Sequence, residues 1–190
     1  MENNKLKFFG VVAIQVAVML VMIIYKFVIL AGGTPVLLAI EPVDPRDPFR
    51  GDYMVFAFKD LSTIDSYQFR QEAEYDYLGA SDTFVPNIGD VVYVELTSYS
   101  KNYHVSGVYP IKPKDKLFIK GVVKYVEKDT QDNYGSNRYR IEYGIENYFI
   151  QENTGREVSF QNSQVEAEVV VDDDGEAVLK SLYVDGKKWP

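Results

Sequence analysis

The densest chemistry in this chain lies between residues 42 and 58, PVDPRDPFRGDYMVFAF. Asp44, Arg46, Asp47, Arg50 and Asp52 alternate in sign within that stretch. A carboxylate left free beside a guanidinium could act as a base or nucleophile in hydrolysis. A carboxylate clasped by an arginine fork instead makes a rigid corner, with spare aspartates capping nearby amides. Pro45 and Pro48 disfavour helical backbone at Asp44 and Asp47, and Gly51 admits a conformation that a β-carbon would strain. The loop is therefore conformationally specified, and a structural or contact-making corner is the simpler of the two readings.

Other chemistries find less support. His104 is the only histidine and sits in KNYHVS, an ordinary strand edge, so a His-paired nucleophile has little to build on. Asp172–Asp173–Asp174 lacks the spaced ligands and terminal glutamate of a calcium loop and reads as a hairpin turn. Glu142 and Glu146 lie four residues apart in one β run and share a face, which reads as a salt-bridged or solvated surface. With no cysteine, thiolate metal sites, disulfides and cysteine nucleophiles are closed. No metal and no cofactor are expected.

The elements that must position these residues begin with a hydrophobic segment. From Phe8 to Tyr25 the only polar residue is Gln15, and apolar residues resume from Phe27 to Ala31. At 1.5 Å per residue such a run reaches across a bilayer, and Lys26 can snorkel to the interface beside Tyr25. The run is longer than the apolar region of a signal peptide, and Ala31-Gly32-Gly33 is a poor cleavage site. Residues 1–7 are then a short tail, 8–31 a transmembrane anchor, 32–35 a flexible-then-stiff hinge, and 36–190 a soluble domain.

That domain reads as mainly β, an antiparallel sandwich or barrel-like body. Its 15 tyrosines and 11 phenylalanines in the whole chain suit pleated, half-buried strands. Expected strands are 36–40, 53–58, 91–96, 103–108, 117–127, 138–150, 165–171 and 177–184, with 41–50 a loop. Residues 62–82 read as an irregular excursion holding one helical turn, and 133–137 as a turn. In 53–58, both alternating faces are apolar, so the strand should be central. The turn Asp172–Gly175 between two strong strands is the clearest hairpin signal.

Charge is uneven. Residues 1–31 carry Lys5, Lys7 and Lys26 against Glu2, leaving 17 basic and 27 acidic residues in the remainder. An acidic body is repelled by phosphate backbones, so nucleic acid is not an expected partner. The short basic tail suits an N-terminus inside and a domain translocated to the envelope side.

The 42–58 stretch resembles the GDYXXLXY family of membrane-anchored bacterial proteins. Gly51, Asp52 and Tyr53 match the motif, with Phe56 in its leucine place and Phe58 in its second tyrosine place. The resemblance extends to Asp44-Pro45-Arg46-Asp47 and Phe49-Arg50, to Tyr143–Glu146 with Tyr148-Phe149, and to Val184-Asp185-Gly186 with Trp189. It implies a single N-terminal span, an external domain, and neighbouring genes that are often for multipass membrane proteins; it implies no particular activity, and the expected location is the bacterial inner membrane. A signal-peptidase-like reading fails because its serine must precede the motif, whereas the first serine here is Ser62. The expected function is thus a non-enzymatic binding or assembly module, anchored in the bilayer through 8–31 and meeting a multipass membrane protein. Its contact residues would be Asp44, Arg46, Asp47, Phe49, Arg50, Gly51, Asp52, Tyr53 and Glu146. The alternative is an envelope hydrolase using the Asp/Arg cluster at 44–52.

Overall fold

The computed structural model describes residues 2–43, 53–70, 84–128, 137–149 and 163–189. Helix α1 runs from Glu2 to Gly32, 31 residues, about 46 Å at the usual rise. Within it Lys7–Gly32 is long and apolar enough to cross a membrane. Its large apolar side chains from Phe8 to Leu30 stand exposed, with Ile29 the exception. A helix keeps all its backbone bonds within the segment, which is what an apolar medium demands.

The hinge expected at 32–35 is tighter than the sequence suggests. Gly33 donates to the Ile29 carbonyl at 2.9 Å, and strand β1 begins at once, Thr34–Val43. A β-carbon on Gly33 would lie 2.7 Å from both Val170 Cγ1 and the Val171 carbonyl oxygen. Only glycine lets the helix end approach the sheet so closely. Ile29 is buried in the same junction.

Among the described residues ten further strands follow: β2 Tyr53–Phe58, β3 Thr63–Asp65, β4 Val91–Tyr99, β5 Asn102–Tyr109, β6 Phe118–Lys128, β7 Asn137–Glu142, β8 Asn147–Phe149, β9 Val165–Val171, β10 Ala177–Val184 and β11 Lys187–Trp189. They form two curled antiparallel sheets. One has the order β11-β10-β9-β1-β2-β8, the other β3-β7-β6-β4-β5. The mainly β expectation holds.

Alternation explains the core. Val36, Leu38 and Ile40 of β1, Phe56 and Phe58 of β2, and Val165, Ala167, Val169 and Val171 of β9 turn inward from the first sheet. Val92, Val94, Ile119, Val123, Tyr139 and Ile141 meet them from the second. Burying a side chain of this size contributes roughly 1.5–3 kcal/mol. β2 lies between β1 and β8, the central position its two apolar faces required. Register shifts at Leu179/Ser181, Glu95/Leu96 and Val123/Tyr125 bend the strands, as bulges do.

Several boundaries differ from the sequence reading. β1 extends to Val43 because its far end pairs with β2, Ile40 opposite Phe58 through Val43 opposite Val55. The excursion after β2 contains, among its described residues, a short strand, β3, before a 3-10 turn at Ser66–Gln68. The run expected as one strand over 138–150 is two, β7 and β8, in different sheets. Gly144, at φ +77, turns the chain between them. The turn expected at 133–137 lies, but for Asn137, outside the described residues.

Candidate functional site

β2 carries the last residue of the GDY triplet. Tyr53 opens the strand with its backbone opposite Phe149 of β8. Asp44, Arg46, Asp47, Phe49, Arg50, Gly51 and Asp52 lie outside the described residues, as does the Tyr53 side chain. The downstream half of the motif is core: Phe56 and Phe58 are each 1% exposed, their rings edge to face at 5.4 Å. A phenylalanine in the second tyrosine place needs no hydroxyl partner, which suits that burial.

Glu146 sits where β7 hands over to β8, so it crosses between sheets. Its Oε1 accepts the Tyr143 N–H, while its carbonyl accepts the Phe56 N–H at 3.1 Å. Tyr143 drives its ring into the core against Phe58, and its hydroxyl donates to the Leu61 carbonyl at 2.8 Å. Burial, reinforced by the Glu146 charge, pushes this phenol well above the ordinary tyrosine value. Next door, the Phe58 N–H donates to Ser62 Oγ at 2.8 Å. Glu146 therefore fastens a corner against β2. Glu142 does not share its face: it ends β7 and lies 3.5 Å from Lys124.

The remaining candidates resolve individually. His104 Nδ1 lies 3.1 Å from Asp60 Oδ2, both side chains well exposed, and no described hydroxyl is hydrogen-bonded to its ring. Asp172 closes the β9–β10 turn, its Oδ1 accepting the Asp174 and Glu176 N–H groups at 2.9 Å. Gly175 holds φ +79 there, and a β-carbon would meet Phe118 Cε2 at 2.7 Å. The turn is stitched to the opposite sheet by the Lys120 N–H donating to the Gly175 carbonyl at 2.9 Å. Lys120–Glu176 and Lys112–Asp174 ion pairs, at 2.9 and 2.8 Å, complete the seam. Among the described residues no cluster has the ligands of a metal site.

One polar constellation escapes any sequence reading. Glu166 of β9 is 1% exposed, and Lys101, on the β4–β5 turn, reaches it at 2.6 Å. Gln164 Nε2 donates to its other oxygen at 3.2 Å. Beside this pair a cleft of about 400 Å³ is lined by Pro35, Leu37, Tyr103, Glu168 and Tyr183 among others. Glu168 accepts from Lys180 at 2.8 Å and from the Tyr183 hydroxyl at 3.0 Å. The Lys180 hydrogen bond, with Tyr183 assisting against burial, holds its carboxyl below the usual range. In VEAEVVV, Glu166 and Glu168 alternate with apolar residues, and alternation by itself marks a solvent-facing side of a strand, not a buried carboxylate.

These features define a class: a two-sheet β body joined without slack to one membrane-length apolar helix. The chain belongs to the GDYXXLXY protein family, whose model matches residues 15–182. No curated protein and no solved structure matches the chain.

Proposed function

We propose that the chain is a membrane-anchored binding or assembly module that presents its β body at a fixed distance and attitude above the bilayer to a multipass membrane protein. The observation that carries this reading is the junction. Ile29 is buried by the domain, and Gly33 leaves no room for a single methyl group against Val170 and Val171. A flexible tether would suffice for an enzyme acting on diffusing substrates, whereas a fixed attitude serves docking onto another membrane component. The exposed apolar belt from Phe8 to Leu30 offers that component a helix to pack against.

The body lies on the envelope side of a bacterial inner membrane, with the basic tail inside. The contact residues are those of the Asp44–Tyr53 stretch together with Glu146, whose carbonyl accepts the Phe56 N–H of β2. Purification in mild detergent tests the reading: a multipass protein should co-purify in stoichiometric amount and be lost on Arg46→Ala with Arg50→Ala. Recovery of a lone monomer under the same conditions would argue against it.

A further inference from the structure

The loop between β5 and β6, Pro110-Ile111-Lys112-Pro113-Lys114-Asp115-Lys116, frames a recess of about 690 Å³ where the helix leaves the body. Thr34, two residues after the end of α1, lines it with Lys112, Lys114, Lys116, Asp115 and Asp173. From this geometry we infer that the recess takes the headgroup of a zwitterionic aminophospholipid from the bilayer that α1 crosses. The inference rests on the anchored reading given above.

Depth comes first. The side chains from Phe8 to Ile24 stand exposed and call for an apolar surrounding, whereas Tyr25 lies within electrostatic reach of Asp172, Asp174 and Glu176, so the charged β9–β10 turn stands beside it. The helical stretch from Phe8 to Tyr25 is then about 27 Å long, close to the thickness of the hydrocarbon layer. The headgroup layer then runs from Lys26 to Thr34, level with the recess. Ile111, 57% exposed on the same loop, suits the boundary between headgroup and acyl chain.

Charge selects the ligand. Lys116 is engaged by Glu95 and the Tyr109 hydroxyl at 3.1 and 2.9 Å, and Lys112 by Asp174 at 2.8 Å. Lys114 and Asp173 have no ion pair or hydrogen bond among the described residues. A purely anionic headgroup would meet one unspent cation beside two aspartates, on an acidic body. A phosphate with a primary ammonium a few bonds away satisfies both signs: the phosphate at Lys114, the ammonium at Asp173 and Asp115. A quaternary ammonium has no N–H to donate to carboxylates and favours aromatic faces instead. The phosphoethanolamine headgroup is therefore preferred over phosphocholine. Pro110 and Pro113 stiffen the loop, and the Glu95–Tyr109–Lys116 cluster pins it to β4 and β5.

The test is native mass spectrometry of the full chain released from nanodiscs holding equal parts phosphatidylcholine, phosphatidylethanolamine and phosphatidylglycerol. Phosphatidylethanolamine should be retained about three- to fivefold over either competitor, the ratio that roughly one exposed ion pair carries. Lys114→Gln and Asp173→Asn, at exposed positions that spare the fold, should each abolish that preference. Equal retention of all three lipids, a phosphatidylglycerol preference, unchanged preference in both variants, or displacement by inorganic phosphate would each overturn the assignment. Release of the chain from vesicles by alkaline carbonate would instead sink the anchored reading itself.

Discussion

Two glycines with nearly the same backbone show how much a neighbour matters. Gly175 and Gly144 hold φ +79 and +77, yet a β-carbon at Gly175 would strike Phe118 whereas at Gly144 it meets nothing within 4 Å. Gly144→Ala should therefore cost only the left-handed backbone penalty, about 1–2 kcal/mol. Gly175→Ala should add overpacking and total about 3–4 kcal/mol. Thermal melts of the two variants, read side by side, separate the terms; equal losses would show that Phe118 yields freely. Tyr143→Phe strands the Leu61 carbonyl in the core and should cost about 1–2 kcal/mol. Glu168 adds a pH signature. Its folded pKa is lowered, so its contribution is full above the ordinary carboxylate value of about 4.3 and fades as pH falls through the folded value. Glu168→Gln should destabilise at neutral pH and converge on the parent protein in acid. A stability gap unchanged by pH would mean that the Lys180 and Tyr183 contacts are not ionic in origin.

At the level of elements, the β4–β5 hairpin is held over the opposite sheet by one buried carboxylate. Lys101→Ala leaves Glu166 without its cation. Because Lys101 itself is 60% exposed and water can reach the gap, the loss should be about 1–3 kcal/mol, below that of a fully buried pair. Amide exchange should quicken in 98–104 and in β9 more than elsewhere, and Glu166→Gln in the same chain should restore part of the loss. Uniform acceleration across both sheets would place the pair's role elsewhere. The short strands also show where local patterning fails. β3 and β8 have three residues each, too few to display a period, and both exist because a longer neighbour, β7 or β2, offers them a ladder. The split of 138–150 has the same origin: each half is a plausible strand, and only the corner around Tyr143 and Glu146 sends them to different sheets.

For the whole molecule, the rigid junction makes orientation measurable. The chain has no cysteine, so single cysteines at Asn4 and Lys187 are unique labels. A membrane-impermeant maleimide applied to intact cells should modify Lys187→Cys and spare Asn4→Cys until the membrane is opened. The reverse pattern would put the β body in the cytoplasm. The acidic surface follows from composition and keeps the body from binding anionic lipid indiscriminately, which is why a recess of mixed sign at the helix exit stands apart from the rest of the body.

Periodicity alone determined the membrane-length helix, the mainly β body, the central place of β2, and the β9–β10 hairpin with its boundaries at 165–171 and 177–184. These are local properties, set by which side chains alternate and where glycine or aspartate breaks the run. The GDY stretch likewise announced its family from sequence, although Asp44–Asp52 lies outside the described residues and Phe56 and Phe58 turned out to be core. Tertiary structure decided the rest: that Glu166 is buried beneath Lys101, that Tyr143 spans to Leu61, that Gly33 is a tight joint rather than a hinge. Each of those depends on a partner far along the chain, and a sequence pattern records what a residue is without recording what arrives beside it.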